Sequence, residues 1–177
     1  MLQLYERALR DPVPVVRPTV LVRTAVCREP SAIGQLDIAR IGERLARGDT
    51  LFAAFHGETL AGYLFAATDE CVVSEIDDVL RVAPKEVYLY DACTTPVFRG
   101  RRIYPFLLTR AQEYFRRESY EYAMIFTDRR NRKSQKGIVQ TGFRRYGHIA
   151  FWNIFGWRHW RMEIGERHVG SRLHFEN

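Results

Sequence analysis

The chain has 177 residues, 46% of them hydrophobic, and its formal net charge of +6 comes mostly from arginine. This length and composition predict one domain over residues 1–177 with a sizeable core, and they argue against disorder. Three widely spaced cysteines argue against a disulfide framework and a metal site, and the lack of a long apolar run predicts a cytoplasmic protein.

The first fifty residues are predicted to contain two helices and one strand. Residues 1–10 are expected to form a short helix, because their apolar residues would share one face. Prolines interrupt the following residues, and residues 19–26 predict a first strand. A second helix is expected over residues 30–47, with Ser31 as its N-cap and Gly48 as its left-handed stop.

The next segment is predicted to be a hairpin followed by an acidic stretch. Residues 50–56 and 60–68 are apolar runs that a short glycine turn separates, which is typical of a β-hairpin. Residues 69–85 are less regular and predict a loop or a short helix. This stretch carries an acidic cluster that would either bind a cationic amine or form a solvated surface: Glu70, Glu75, Asp77 and Asp78.

Residues 86–115 are expected to organise the domain. Residues 87–95 are β-branched and aromatic and predict a strand, whereas residues 103–115 predict an amphipathic helix with Pro105 in its first turn. The turn between them, Arg99–Arg102, places three cations and a glycine at the helix N-terminus. Free amides and the helix dipole favour an anion there, so the turn is either a phosphate site or a solvated basic connection.

The remaining residues are predicted to add strands and one more helix. Residues 122–127 predict a strand, and Asn131 is a suitable N-cap for the helix that follows. Residues 144–164 alternate aromatic and polar side chains and predict two strands that turn near residues 155–156. Beyond Gly165 the chain is polar, and we expect a mobile tail.

Two motifs in this part of the chain resemble those of the GNAT superfamily, the acyl-CoA-dependent N-acyltransferases. The first is the pyrophosphate loop, often R-G-x-G-x-G: Arg99 and Gly100 match its opening pair, while Arg102 and Tyr104 replace its later small residues. The second is N-x-x-A/S-x-x-x-Y-x-x-x-G-F, which this sequence matches at Asn131, Ser134, Gly142 and Phe143.

The resemblance implies an α/β fold, a GNAT-like single domain with a mixed, mostly antiparallel twisted sheet of about six or seven strands and helices on both faces. It implies transfer of an acetyl or other short acyl group from coenzyme A, as co-substrate, to a primary amine by direct attack in a ternary complex, without a metal. The residues it assigns to acetyl-CoA binding are Cys93, Thr94, Thr95, Arg99, Gly100, Arg101, Arg102, Ile103, Tyr104, Asn131 and Ser134.

The groups that would move protons are less clear from the resemblance. Glu86 stands where histone-type members carry their glutamate base, and Asp91 interrupts an apolar strand, where partial desolvation would make it a better proton acceptor. The tyrosine that protonates the leaving thiolate in the family is replaced by Ile138. Either solvent or one of three tyrosines would supply this proton: Tyr146, Tyr90 or Tyr104.

Several partners and alternatives remain open from the sequence. The acceptor would be a small-molecule amine or an amine of a protein. A basic surface also suits an acyl carrier protein, so one alternative is an acyltransferase with a long-chain or carrier-bound donor. Another is a non-catalytic sensor of acyl-CoA or nucleic acid, although nucleic acid is not the expected partner. The aromatic hairpin near the end would suit a homodimer.

Overall fold

The computed structural model of the chain describes residues 1–27, 38–154, 157–165 and 173–175. The strands are β1 (Leu2–Ala8), β2 (Arg23–Cys27), β3 (Thr50–His56), β4 (Thr59–Ala67), β5 (Glu70–Val73), β6 (Asp78–Val82), β7 (Glu86–Thr94), β8 (Tyr122–Asp128), β9 (Arg144–Ile154), β10 (Trp157–Ile164) and β11 (Leu173–Phe175). The helices are α1 (Ile38–Ala46), α2 (Ile103–Arg117) and α3 (Arg132–Gln140), with a short 3-10 turn at Pro96–Phe98.

The main sheet has eight strands in the order β10-β9-β1-β8-β7-β4-β3-β2. Its pairs are antiparallel except β7–β8, which is parallel. Side chains of β3 alternate between two cores: Phe52 packs with α2, and Leu51 packs with Ile41 and Leu45 of α1. The mixed sheet with helices on both faces is therefore confirmed, with eight strands instead of the six or seven expected.

The first residues form a strand, and the prediction of a helix there is wrong. β1 lies between β8 and β9 and pairs with both, with Leu4 opposite Phe126 on one side and Gly147 on the other. All seven residues of β1 are buried. A strand that is buried on both faces has no apolar–polar alternation, so the spacing of Leu2 and Tyr5 resembled a helix by chance.

A second, three-stranded sheet has the order β11-β6-β5. β5 and β6 form a hairpin within residues 69–85, where the sequence predicted an irregular segment. β11 pairs with β6, so three residues of the segment predicted to be a mobile tail form a strand. The predicted cap at Ser31 and the predicted turn at residues 155–156 lie outside the described residues.

The site is positioned by a bulge in β7 and by its separation from β8. Between Tyr90 and Cys93, β7 has one residue more than the facing segment of β4, and Asp91 has a φ of +41°. The parallel pairing with β8 covers only the first four residues of β7, Glu86–Leu89. Beyond Leu89 the two strands diverge, which opens a gap in the middle of the sheet.

Candidate functional site

A cleft of about 960 Å³ occupies the gap between the diverging strands. Residues 90–94 of β7 line one side of the cleft, and residues 125–128 of β8 line the other. The basic turn and the first residues of α2 close one end, and α3 forms a further wall. The cleft therefore brings together the two sequence motifs, which lie about thirty residues apart in the chain.

The basic turn has a backbone conformation that favours glycine at two positions. Gly100 has a φ of +77°, and Arg102, the N-cap of α2, has a φ of +62°. The first intrahelical bond runs from Phe106 N to Arg102 O at 3.2 Å, so the amides of Ile103 and Tyr104 precede the helical ladder. The turn thus keeps a left-handed N-cap although an arginine stands at the position of the family's glycine.

Four cationic residues line the cleft: Arg99, Arg102, Lys133 and Lys136. Arg99 Nε donates to Thr94 O at 3.4 Å, which holds its stem near the end of β7. The two lysines come from α3, at variable positions of the second motif. The amides, the helix dipole and these cations make a suitable site for a phosphate-bearing ligand.

Tyr104 fills the space between α2 and α3. A Cβ added at Gly137 would lie 2.8 Å from Tyr104 Cδ1, so the ring occupies the volume that the glycine leaves open. The Tyr104 and Ser134 hydroxyls share a hydrogen bond of 3.1 Å. Burial raises the pKa of Tyr104 to about 12, which keeps the phenol neutral near pH 7. The ring thus forms part of the cleft wall.

The residues at the two ends of the second motif lie at the two ends of α3. Asn131 caps α3, with its side chain accepting from Ser134 N at 3.1 Å. Gly142, just beyond the helix, has a φ of +85°. Ile138, at the position of the family's tyrosine, is fully buried among core residues. This position therefore presents neither a proton donor nor any side chain to the cleft.

A second cavity of about 400 Å³ meets the cleft at its other end. The two share four residues: Glu75, Tyr90, Asp91 and Phe126. The second cavity is lined by the end of α1 and by β5, on the sheet face opposite α2. A ligand in the cleft and one in the second cavity would therefore meet through the gap between β7 and β8.

Two polar networks lie where the cavities join. Asp91 forms an ion pair with Arg44, whose guanidinium lies 4.6 Å from the Phe65 ring centroid. Tyr90 Oη donates to Asp49 Oδ2 at 2.6 Å, and Arg47 Nη2 lies 3.3 Å from the same oxygen. Asp49 is buried, with 3% of its surface exposed. Burial, followed by the hydrogen bond to Asp49, raises the pKa of Tyr90 well above its ordinary value.

The structure brings most of the predicted site residues together. Of the residues assigned to acetyl-CoA, nine line the cleft: Cys93, Thr94, Arg99, Gly100, Arg102, Ile103, Tyr104, Asn131 and Ser134. Thr95 instead turns to β4, where its Oγ1 donates to Leu60 O at 2.7 Å. Arg101 is exposed and outside the lining, and its carbonyl accepts from Thr19 N at 3.1 Å.

The three predicted catalytic residues lie in three different environments. Asp91 lines both cavities. Glu86 is buried at the start of β7, about 16 Å of extended strand from Asp91, and it is not part of the cleft lining. Tyr146 is 2% exposed and packs in the core with Leu4 and Met124, also away from the cleft.

Sequence reasoning missed Arg44, Arg47 and Asp49. Arg44 is 47 residues from its partner Asp91, and Asp49, which Arg47 contacts, is 41 residues from its partner Tyr90, so no local spacing predicts these pairs with β7. An indirect signal was available in Asp91, because a carboxylate within an apolar strand requires a partner. Within the described part of the chain, no helix is long and apolar enough to cross a membrane, and no group of His, Cys, Asp and Glu side chains is placed to hold a metal ion.

No protein-family model and no curated protein sequence matches this chain. Solved structures do match. A GNAT-family acetyltransferase from Colwellia psychrerythraea has 15% sequence identity and a TM-score of 0.56, over 81% of this chain and 52% of that one. The tandem GNAT protein of the clavulanic acid biosynthesis pathway has 16% identity and a TM-score of 0.55, over 82% and 50%. This chain thus spans about half the length of both proteins.

A third match covers almost the whole of the other chain. AAC(6')-Iy, in complex with the bisubstrate analogue CoA-S-monomethyl-acetylneamine, has 19% identity and a TM-score of 0.56, over 76% of this chain and 98% of that one. The chain therefore has the fold of the GNAT acetyltransferases.

Proposed function

We propose that this protein is an N-acyltransferase that moves an acetyl or other short acyl group from coenzyme A to a primary amine by direct attack in a ternary complex. The observation that carries the proposal is the gap between β7 and β8, which joins a cation-lined cleft on one sheet face to a second cavity on the other. Direct transfer requires this arrangement, because donor and acceptor must be bound at the same time and meet at one point.

The phosphates of the donor would lie at the N-terminus of α2. The amides of Ile103 and Tyr104 would donate to them, and Arg99 and Arg102 would add charge-assisted hydrogen bonds. The donor's thioester arm would then run along the wall formed by Tyr104 and Ser134 towards the bulge. The residues present fit such a ligand, since the turn combines a positive φ at Gly100 with cations and helix amides.

The reacting carbonyl would lie beside β7 after the bulge. Backbone amides in residues 92–94 would donate to its oxygen, where negative charge develops during attack. The amine would enter from the second cavity, past the Asp91–Arg44 ion pair, and Asp91 would orient it. Tyr104 is a candidate for protonating the thiolate, because it lies in the cleft and Tyr146 does not.

Calorimetry with acetyl-CoA tests the donor site. We expect saturable binding, which Arg102→Glu weakens about 100-fold, because it replaces a charge-assisted bond with repulsion. Arg101→Glu is the matched control: it makes the same charge change one residue away, outside the cleft, and it should weaken binding less than fivefold through long-range attraction alone. Equal losses in the two variants would contradict the assignment of the loop.

Thiol release then tests transfer. Acetyl-CoA is mixed with neamine, spermidine or a lysine peptide, and free coenzyme A is measured over time. We expect amine-dependent release with at least one acceptor. Tighter binding of a long-chain acyl-CoA would favour the long-chain or carrier-bound donor instead. Binding of acetyl-CoA without release by any amine would favour a non-catalytic sensor.

A further inference from the structure

We infer that Tyr90 and Asp49 form a proton relay that removes a proton from the acceptor nitrogen during acyl transfer, an inference that rests on the proposed function. Tyr90 lines both the cleft and the second cavity, so this residue lies where the two meet. Asp49 lies behind it, buried after α1 and outside the lining of the second cavity, and it contacts two residues of that lining, Tyr90 and Arg47. This places a phenol between the acceptor's position and a buried carboxylate.

The other carboxylates near the junction are less suited to this step. Glu86 is buried at the far end of β7, and Glu43 and Glu75, which line the second cavity, are exposed. Asp91 and Asp49 each contact an arginine, but the side chain of Asp91 is 35% exposed, whereas that of Asp49 is 4% exposed. Asp91 is therefore placed to hold an ammonium group beside Arg44, while the carboxylate behind Tyr90 is free of direct contact with the acceptor.

The distance between Tyr90 and Asp49 favours transfer of a proton from the phenol to the carboxylate. Tyr90 Oη and Asp49 Oδ2 are 2.6 Å apart, which is a short hydrogen bond between a neutral donor and a carboxylate. Arg47 Nη2 contacts the same oxygen at 3.3 Å. Burial and this hydrogen bond raise the pKa of Tyr90 well above its ordinary value. A free tyrosinate is thus excluded near pH 7, and any proton that Tyr90 accepts must arrive as its own proton leaves.

The relay carries a proton from the acceptor nitrogen to Asp49. A neutral amine attacks the thioester carbon, the C–N bond forms as the π pair of the C=O bond moves to the oxygen, and the nitrogen gains a positive charge and becomes acidic. One N–H bond breaks as its proton moves to Tyr90 Oη, while the tyrosine's own proton moves to Asp49 Oδ2. The C=O bond then re-forms as the C–S bond breaks, and the departing thiolate takes up a proton. Asp49 returns its proton to solvent through Tyr90 and the second cavity. The products are the amide and the free thiol.

The relay is tested with Tyr90→Phe and Asp49→Asn. Tyr90→Phe keeps the ring that stacks on Tyr88, at a centroid distance of 5.8 Å, and removes only the hydroxyl. Asp49→Asn keeps the shape of the side chain and an acceptor oxygen. We expect each variant to lower kcat about 100-fold with less than a threefold change in the KM of the amine and in the Kd of acetyl-CoA. Tyr120→Phe, outside both cavities, is the control and should keep the wild-type rate.

The decisive readout is the rate in H₂O–D₂O mixtures, measured in a single turnover of the preformed complex with acetyl-CoA. Two protons that move together give a curved dependence on the deuterium fraction, and we expect curvature in the wild type and in Tyr120→Phe. Tyr90→Phe and Asp49→Asn should give a straight line. Retained curvature or a wild-type kcat in Tyr90→Phe would overturn the relay alone. Absence of thiol release by the wild type would overturn the proposed function as well, so the two failures can be told apart.

Discussion

Gly137→Ala is expected to destabilise the protein when Tyr104 is present and to stabilise it when Tyr104 is replaced by alanine. Gly137 is an interior residue of α3, where replacing glycine with alanine stabilises a helix by about 1 kcal/mol. Here the new Cβ would lie 2.8 Å from Cδ1 and 3.0 Å from Cε1 of Tyr104. The ring is held by its bond to Ser134 and cannot yield freely, so overpacking should cost about 2 kcal/mol. The net effect is a loss of about 1 kcal/mol.

The test is a double-mutant cycle read by thermal unfolding. For a domain of this size, a loss of about 1 kcal/mol lowers Tm by roughly 2–4 °C. In a Tyr104→Ala background the clash is gone, and Gly137→Ala should raise Tm by a similar amount. Calorimetry of the same four proteins should show weaker acetyl-CoA binding in Gly137→Ala, because the displaced ring narrows the cleft. A rise in Tm on Gly137→Ala in both backgrounds would refute the packing of Tyr104 on Gly137.

Three further outcomes are expected. Cys93 is exposed in the cleft, so iodoacetamide should modify it before Cys71, and acetyl-CoA should protect it. Burial raises the pKa of Cys71 to about 12, which leaves roughly 1000-fold less thiolate than a thiol with a pKa of 9 would have. Faster labelling of Cys71 in mass spectra would contradict this prediction. Arg102→Gly should raise Tm by about 2–4 °C, because glycine adopts the positive φ at this position without strain. The same change should weaken acetyl-CoA binding about fivefold, and a lower Tm would count against the left-handed N-cap. Gly142→Ala should lower the free energy of unfolding by at least about 2 kcal/mol in urea titrations, because its φ is +85° and its Cβ would collide with the Arg7 guanidinium; an unchanged midpoint would exclude that collision.

Patterns that are local in the sequence predicted the elements around the site. The run of β-branched and aromatic residues in β7, Pro105 in the first turn of α2 and Asn131 at the start of α3 each act within a few residues. The sequence within and beside each of these elements is therefore enough to predict it. The cleft follows from them, because it is built from the ends of these adjacent elements.

Features that depend on distant partners were not predictable in the same way. β1 has a helical spacing of apolar residues, but its two neighbours in the sheet, β8 and β9, lie more than a hundred residues away and impose a strand. Arg44 and Asp91 are separated by 47 residues, and nothing in either segment indicates the other. From the motif, Ile138 was interpreted as replacing the tyrosine that donates a proton. Its burial shows that this position faces the core.

Trp160 connects the last hairpin to the small sheet. Its Nε1 donates to Asp78 Oδ2 at 3.0 Å, and its ring lies 4.9 Å from that of Phe175 in β11. All residues lining the cleft except Glu75 fall within residues 90–140, whereas the small sheet, whose strand β5 lines the second cavity, is contacted by Trp160 and includes Phe175. Because residues 90–140 precede these contacts in the chain, a chain emerging from the ribosome would complete the lining of the cleft before the small sheet is held in place.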